Sequence, residues 1–129
     1  MEFTQIKETC LYVADIKASR TFYEGILNLP VISEVQGRHV FFRCGSSVLL
    51  CFLAEVTRQE QNLPPHYAHG KLHIALEVPQ DQYEAVKAQL VHSGVAITHE
   101  QSWKGALKSF YFEDPDGHVL EIVPPGIWE

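Results

Sequence analysis

The sequence predicts an α+β fold made of two tandem βαβββ modules, and three observations carry that prediction. The chain has 129 residues, the size of one compact domain with a single core. Short apolar runs with period-two alternation interleave with two segments of helical spacing. The second half repeats the order of the first: ETCLYVADIKASRTFY lies over HIALEVPQDQYEAVKA and GSSVLLCFLA over DGHVLEIVPP, as an internal duplication requires.

In the first module, IKETCLYV reads as a strand, and Asp15 is the expected N-cap of a helix whose apolar positions are Ile16, Phe22, Tyr23, Ile26 and Leu27. Asn28 and Pro30 end that helix. VISEV, RHVFFRC after the Gln36-Gly37 turn, and SSVLLCFLA after Gly45 complete the module, about residues 1–54. In the second module, residues 71–129, KLHIALEV is the first strand. Asp81 and Glu84 suggest a capping box, Tyr83, Val86 and Leu90 form the apolar helix face, and Gly94 closes the helix. AITHEQS, LKSFYFE and HVLEIVP follow as strands, divided by a Trp-Lys-Gly segment and a Pro-Asp-Gly turn. The connection 55–70 is longer than most, which suggests a crossover or a functional loop.

Composition narrows the function. Hydrophobic content of 46% with 20% charged residues is that of an ordinary globular protein, and the net charge of −6 disfavours nucleic acid and anionic membrane surfaces as partners. MEFTQIKETC lacks the pattern of a signal peptide and no apolar run is long enough to span a bilayer, so a cytoplasmic location is expected. Cys10, Cys44 and Cys51 are odd in number, lie in strand-like runs and have no CxxC spacing, which reads as free buried thiols.

The chemistry lies on one sheet face. Alternation puts Leu72, Ile74, Leu76 and Val78 on the face that wants the helix, and His73, Ala75 and Glu77 on the other. The same parity puts Glu8 with Cys10 and Tyr12, so Glu8 and His73 hold equivalent positions. In the last strand Glu121 shares the helix-averted face with Val119 and Val123. A dry carboxylate there costs several kcal/mol unless something compensates it. A divalent metal would do so; Lys108 or Arg38 would do so as an ion-pair partner.

The two βαβββ modules, EGILNLP after the first helix and FYFEDPDGHVLE near the end together resemble the vicinal oxygen chelate superfamily over essentially the whole chain. Its members include glyoxalase I, fosfomycin-resistance and bleomycin-resistance proteins, methylmalonyl-CoA epimerase and extradiol dioxygenases. The resemblance implies a curved mixed sheet, formed when modules pair, around a cavity holding a divalent metal. It places metal ligands on Glu8, His73 and Glu121 and puts Leu50, which cannot coordinate, at the fourth position of glyoxalase-like members. This oxygen-rich set suits Mn, Fe, Co, Ni or Zn without deciding among them. A homodimer is implied, with Glu8 from one chain and His73 and Glu121 from the other.

The resemblance also makes Tyr111 a donor to a metal-bound substrate, although a cross-strand aromatic role is equally open. The histidine that a dioxygenase would carry shortly before it is replaced by Ser102, Trp103 and Lys104, which disfavours ring cleavage. Ser109 and Tyr111 on one strand, with Arg38 and His39 on another, are the candidate substrate-binding residues; a positive group there would clamp a carboxylate or phosphate. His66 and His69 are rim residues at most. With Glu8, Glu121 and Tyr111 as catalytic groups, the expected chemistry is isomerisation through a glutamate base, or addition of a thiol cosubstrate to an activated small molecule. The alternative is a protein that binds a small molecule, such as an antibiotic, and performs no reaction.

Overall fold

The computed structural model describes residues 1–129, which form two compact units, Met1–Gly70 and Lys71–Glu129. The connection expected at 55–70 folds as part of the first unit: it starts as a helical turn, and Thr57 Oγ1 donates to the His66 carbonyl at 2.6 Å.

Unit 1 runs β1 (Glu8–Val13), α1 (Ile16–Arg20), β2 (Val31–Val35), β3 (His39–Cys44), β4 (Ser47–Leu53) and the short α2 (Ala54–Thr57). Unit 2 runs β5 (His73–Glu77), α3 (Tyr83–His92), β6 (His99–Ser102), β7 (Lys108–Glu113) and β8 (Val119–Val123). Each unit holds a four-stranded mixed sheet, in the orders β1-β4-β3-β2 and β5-β8-β7-β6. The first and last strands of each unit pair in parallel and the other pairs are antiparallel. Registers match as well, since Glu8 lies beside Val48 as His73 lies beside Val119. The duplication visible in the sequence is therefore one of topology and register.

Alternation decides which side chains meet the helix in each unit. In unit 1 Leu11, Val13, Val40, Phe42, Leu49 and Cys51 are buried together with Phe22 and Tyr23, whose ring lies 5.5 Å from that of Phe42. In unit 2 Phe110, Phe112, Leu120 and Ile122 are buried with Tyr83 and Leu90, and Tyr83 meets Phe110 edge-on at 5.4 Å. No helix is long and apolar enough to cross a membrane.

Two local expectations need correction. The first helix keeps its Asp15 cap, with Oδ1 accepting from Ala18 N at 3.1 Å, but it widens after Arg20 into a π-helical turn, Thr21–Ile26. Leu27 N reaches back to Phe22 O, five residues earlier, and the wider turn lets the adjacent Phe22 and Tyr23 both be buried. The capping box of the second helix does not form. A 3-10 turn at Gln80–Gln82 after Pro79 enters the helix instead, and the N-cap Gln82 makes no side-chain bond. Asn28, at φ 58°, ends the first helix as expected.

Glu100 on β6 fastens α3 to its sheet: Lys87 Nζ donates to Oε2 at 2.5 Å and Tyr83 Oη at 3.2 Å, and Lys108 approaches Oε1 at 3.9 Å. The Lys87 hydrogen bond is the main force holding the Glu100 carboxyl below its usual range, while burial pushes the Tyr83 phenol up. A lowered carboxylate pKa in the folded state means stability that is present above the ordinary value of 4.5 and lost as pH falls through the folded one. Glu100→Gln is accordingly expected to lower the urea midpoint at pH 7, with the gap to wild type closing below a pH of roughly 4. A gap that persists unchanged in acid would assign the loss to packing.

Candidate metal centre

On the helix-averted face of the unit 2 sheet, His73 and Glu121 come together, with Nε2 and Oε2 3.4 Å apart. They sit on the parallel neighbours β5 and β8, where Glu121 pairs with Ala75 and His73 with Val119. The His73 Nδ1–H donates to the Val119 carbonyl at 2.9 Å, which fixes the ring and turns Nε2 toward the carboxylate. With Nδ1 as the donor, a neutral His73 presents a lone pair to a negative oxygen. Either a proton on Nε2 or a cation bound by both atoms resolves that contact.

Glu121 is only 6% exposed and its Oε1 is buried with no hydrogen-bond partner. Neither cation considered from the sequence serves it: Lys108 reaches Glu100, and Arg38 reaches Glu60 at 3.1 Å. An orphaned carboxylate oxygen beside an oriented imidazole is the donor chemistry that a divalent cation needs. No three His, Cys, Asp or Glu side chains are grouped to hold a metal, and what unit 2 brings together is the pair His73 and Glu121.

Tyr111 faces Glu121 directly across the β7–β8 ladder. Its ring stacks against His73 at 6.2 Å, interplanar angle 27°, and meets His99 in a tilted contact at 5.7 Å. Burial raises the Tyr111 phenol pKa; the bond to Glu121 raises it further and the bond to Ser109 draws it back. The phenol is therefore protonated at neutral pH and available as a donor. Ser109, two residues earlier on the same face, is fully buried, and its Oγ accepts from the Trp103 indole at 2.8 Å.

In unit 1, Glu8 is exposed at the start of β1, in the register that His73 holds in unit 2. Leu50 takes the register of Glu121 and Phe41 that of Tyr111, so the face carries an apolar wall where unit 2 has its polar groups. Arg38 and His39 are bonded to each other: an Arg38 Nη1–H donates to His39 Nδ1 at 2.6 Å, and Nε2 lies 3.3 Å from Ser33 Oγ. His39 stacks on Phe41 at 3.9 Å. Burial first, and the Arg38 charge second, lower its pKa. Arg38 divides its guanidinium between His39, Glu60 and the face of Phe52.

Sequence reasoning does not place Trp103 against Ser109 or His99 against Tyr111. The Trp-Lys-Gly segment reads as a break between strands, and its indole is the available signal. His99 precedes Tyr111 by twelve residues but pairs with it across β6–β7, which only the register reveals.

A model of the Glyoxalase/Bleomycin resistance protein/Dioxygenase superfamily matches residues 5–122. The chain is 32% identical to the glutathione transferase FosA of Serratia marcescens, over 87% of its own length and 74% of the relative's. It is 29% identical to a metallothiol transferase FosB of Staphylococcus epidermidis, over 95% of this chain and 82% of that protein. Among solved structures, the lactoylglutathione lyase from Agrobacterium tumefaciens superposes with a TM-score of 0.94 at 26% identity, covering 99% of this chain and 98% of the other.

The His39 environment has a measurable consequence. A histidine whose folded pKa lies below its unfolded value contributes stability that is complete above about pH 6.5 and lost as pH falls toward the folded value. His39→Gln is expected to flatten the decline in urea midpoint between pH 7 and pH 5. An undiminished decline would place the titrating group elsewhere.

Proposed function

Because the chain belongs to the Glyoxalase/Bleomycin resistance protein/Dioxygenase superfamily, we propose that it is a divalent-metal-dependent enzyme of the glyoxalase and fosfomycin-resistance type, adding a thiol to a small substrate that presents two neighbouring oxygens. The observation that carries this reading is the His73–Glu121 pair, with its fixed Nδ1–H and bare Oε1. His73 and Glu121 would hold the metal, and Glu8 from the partner of a homodimer is the proposed third ligand. Relatives named a glutathione transferase and a metallothiol transferase support a thiol as second substrate. The departure at Leu50 leaves three ligands rather than four.

A divalent cation at this site would act as a Lewis acid, withdrawing charge from a substrate oxygen. The remaining work belongs to the chain. The Val119 carbonyl orients His73, and the sheet positions Glu121. In the addition, sulfur forms a bond to the electrophilic carbon as that carbon's bond to oxygen breaks. The electron pair stays on oxygen, which takes up a proton, and the thiol proton leaves to solvent. Tyr111 Oη, held in its protonated form, is the proposed proton donor to that oxygen. If the substrate were isomerised instead, Glu8 or Glu121 would take the base role.

Protein purified without chelator is expected to carry one divalent metal per proposed site by elemental analysis, and Glu121→Ala is expected to abolish it. Tyr111→Phe should retain the metal while losing about 10²–10⁴-fold in kcat for thiol addition to an epoxide. No bound metal in wild type, with none taken up on addition, would favour the ligand-binding alternative.

A further inference from the structure

His118 is a buried imidazole that the reading above does not use. It ends the turn between β7 and β8, and Asp114 shapes that turn: Oδ1 accepts from Asp116 N at 2.9 Å and from His118 N at 2.8 Å. The backbone closes the same turn, with Gly117 N donating to Asp114 O and Asp114 N to His118 O, each at 3.0 Å. Both backbone groups of His118 are thus committed to Asp114, and the ring is held from behind.

The front of the ring meets the strand that carries His73. β5 is an edge strand that pairs only with β8, and their ladder begins at His73 beside Val119. The Leu72 amide lies one residue before that ladder, where β8 has not yet started. Its N–H donates to His118 Nδ1 at 3.0 Å, so the ring serves as the acceptor that a strand carbonyl would otherwise supply. A backbone N–H only donates, so Nδ1 of His118 carries no hydrogen. The next two bonds return along the same edge: Val119 N donates to Leu72 O at 2.8 Å, and His73 Nδ1–H donates to the Val119 carbonyl at 2.9 Å. An unbroken set of hydrogen bonds therefore runs from the Asp114 turn through His118, Leu72 and Val119 to the His73 ring.

We propose that His118 is a positioning residue, whose ring clasps the free end of β5 at Leu72 and so holds the His73 imidazole in the orientation that turns Nε2 toward Glu121. The end of an edge strand frays readily, and His73 is the first residue of its strand. A side chain that pins the residue before it removes that freedom. The consequence for metal rests on the reading of His73 and Glu121 as ligands, whereas the clasp is present without metal. Groups that orient a metal ligand affect affinity by about 10–100-fold, and about tenfold is expected here.

The test starts with the full chain free of metal. His118→Leu removes the acceptor; His118→Asn restores one, because its side-chain oxygen reaches about as far as Nδ1. By NMR, the Leu72 amide should exchange about tenfold faster in His118→Leu than in wild type, the worth of one hydrogen bond, and regain its protection in His118→Asn. Nitrogen shifts of His73 should report a hydrogen on Nδ1 in wild type and His118→Asn, and a mixture of tautomers in His118→Leu. Cobalt(II) titration should follow the same order, about tenfold weaker in His118→Leu and recovered in His118→Asn. Should His118→Leu fail to fold, His118→Gln takes its place, since its longer side chain carries the amide past the Nδ1 position. A His73 tautomer or a cobalt affinity indifferent to loss of the acceptor, or an asparagine variant no better than the one lacking it, overturns the proposal. Wild type that binds no cobalt while the His73 tautomer still follows residue 118 would overturn the metal-site reading and leave the clasp standing.

Discussion

A buried carboxylate with one oxygen left bare is the constraint around which unit 2 is organised. Glu121 lies on the face of β8 opposite the core, between Ala75 and Tyr111 in neighbouring strands, and Oε1 has no partner. A group of that kind costs several kcal/mol unless a charge or a set of donors compensates it. The structure supplies a partial answer through His73 and Tyr111, and both are themselves fixed, His73 by the Val119 carbonyl and Tyr111 by its position on β7. The orphaned oxygen is the part of the answer that a bound cation would supply.

The rest of the fold serves to bring that face into being. Phe110, Phe112, Leu120 and Ile122 bury one side of the β7–β8 ladder against Tyr83 and Leu90, and pleat alternation then sends Ser109, Tyr111 and Glu121 to the other. The Glu100 cluster ties α3 to the same sheet from the outer strand. Core and chemistry are thus the two faces of the same strands. Unit 1 repeats the plan with a different outcome, because Leu50 and Phe41 stand where Glu121 and Tyr111 do, leaving Glu8 at the position of His73. Duplication followed by divergence of this kind turns one half into a set of donors and the other into an apolar wall.

Much of this was legible in the sequence, for identifiable reasons. All eight strands and the helix in each module follow from period and turn residues, and pleat parity alone puts His73 and Glu121 on the helix-averted face. What period cannot supply is register between strands far apart in the chain. The pairing of His99 with Tyr111, and the reach of Trp103 to Ser109, depend on how β6 and the turn before β7 lie against the sheet. The π-turn in the first helix was hidden because apolar positions at Phe22 and Tyr23 fit either kind of helix. The capping box failed because Pro79 and a 3-10 turn offered another entry to the helix. The charge state of His39 was hidden for a related reason: nothing in RHVFFRC shows that Arg38 would turn back to its neighbour and to Glu60.

The central claim is that His73 and Glu121 ligate one divalent cation together. X-ray absorption at the metal edge of the zinc-loaded protein tests it most directly, because imidazole, carboxylate and thiolate scatter distinguishably. The account predicts a shell of nitrogen and oxygen at about 2.0–2.2 Å with the outer-shell signature of a single imidazole and no sulfur, the imidazole signature vanishing in His73→Ala. A shell with two or more imidazoles, or with sulfur at about 2.3 Å, would contradict it.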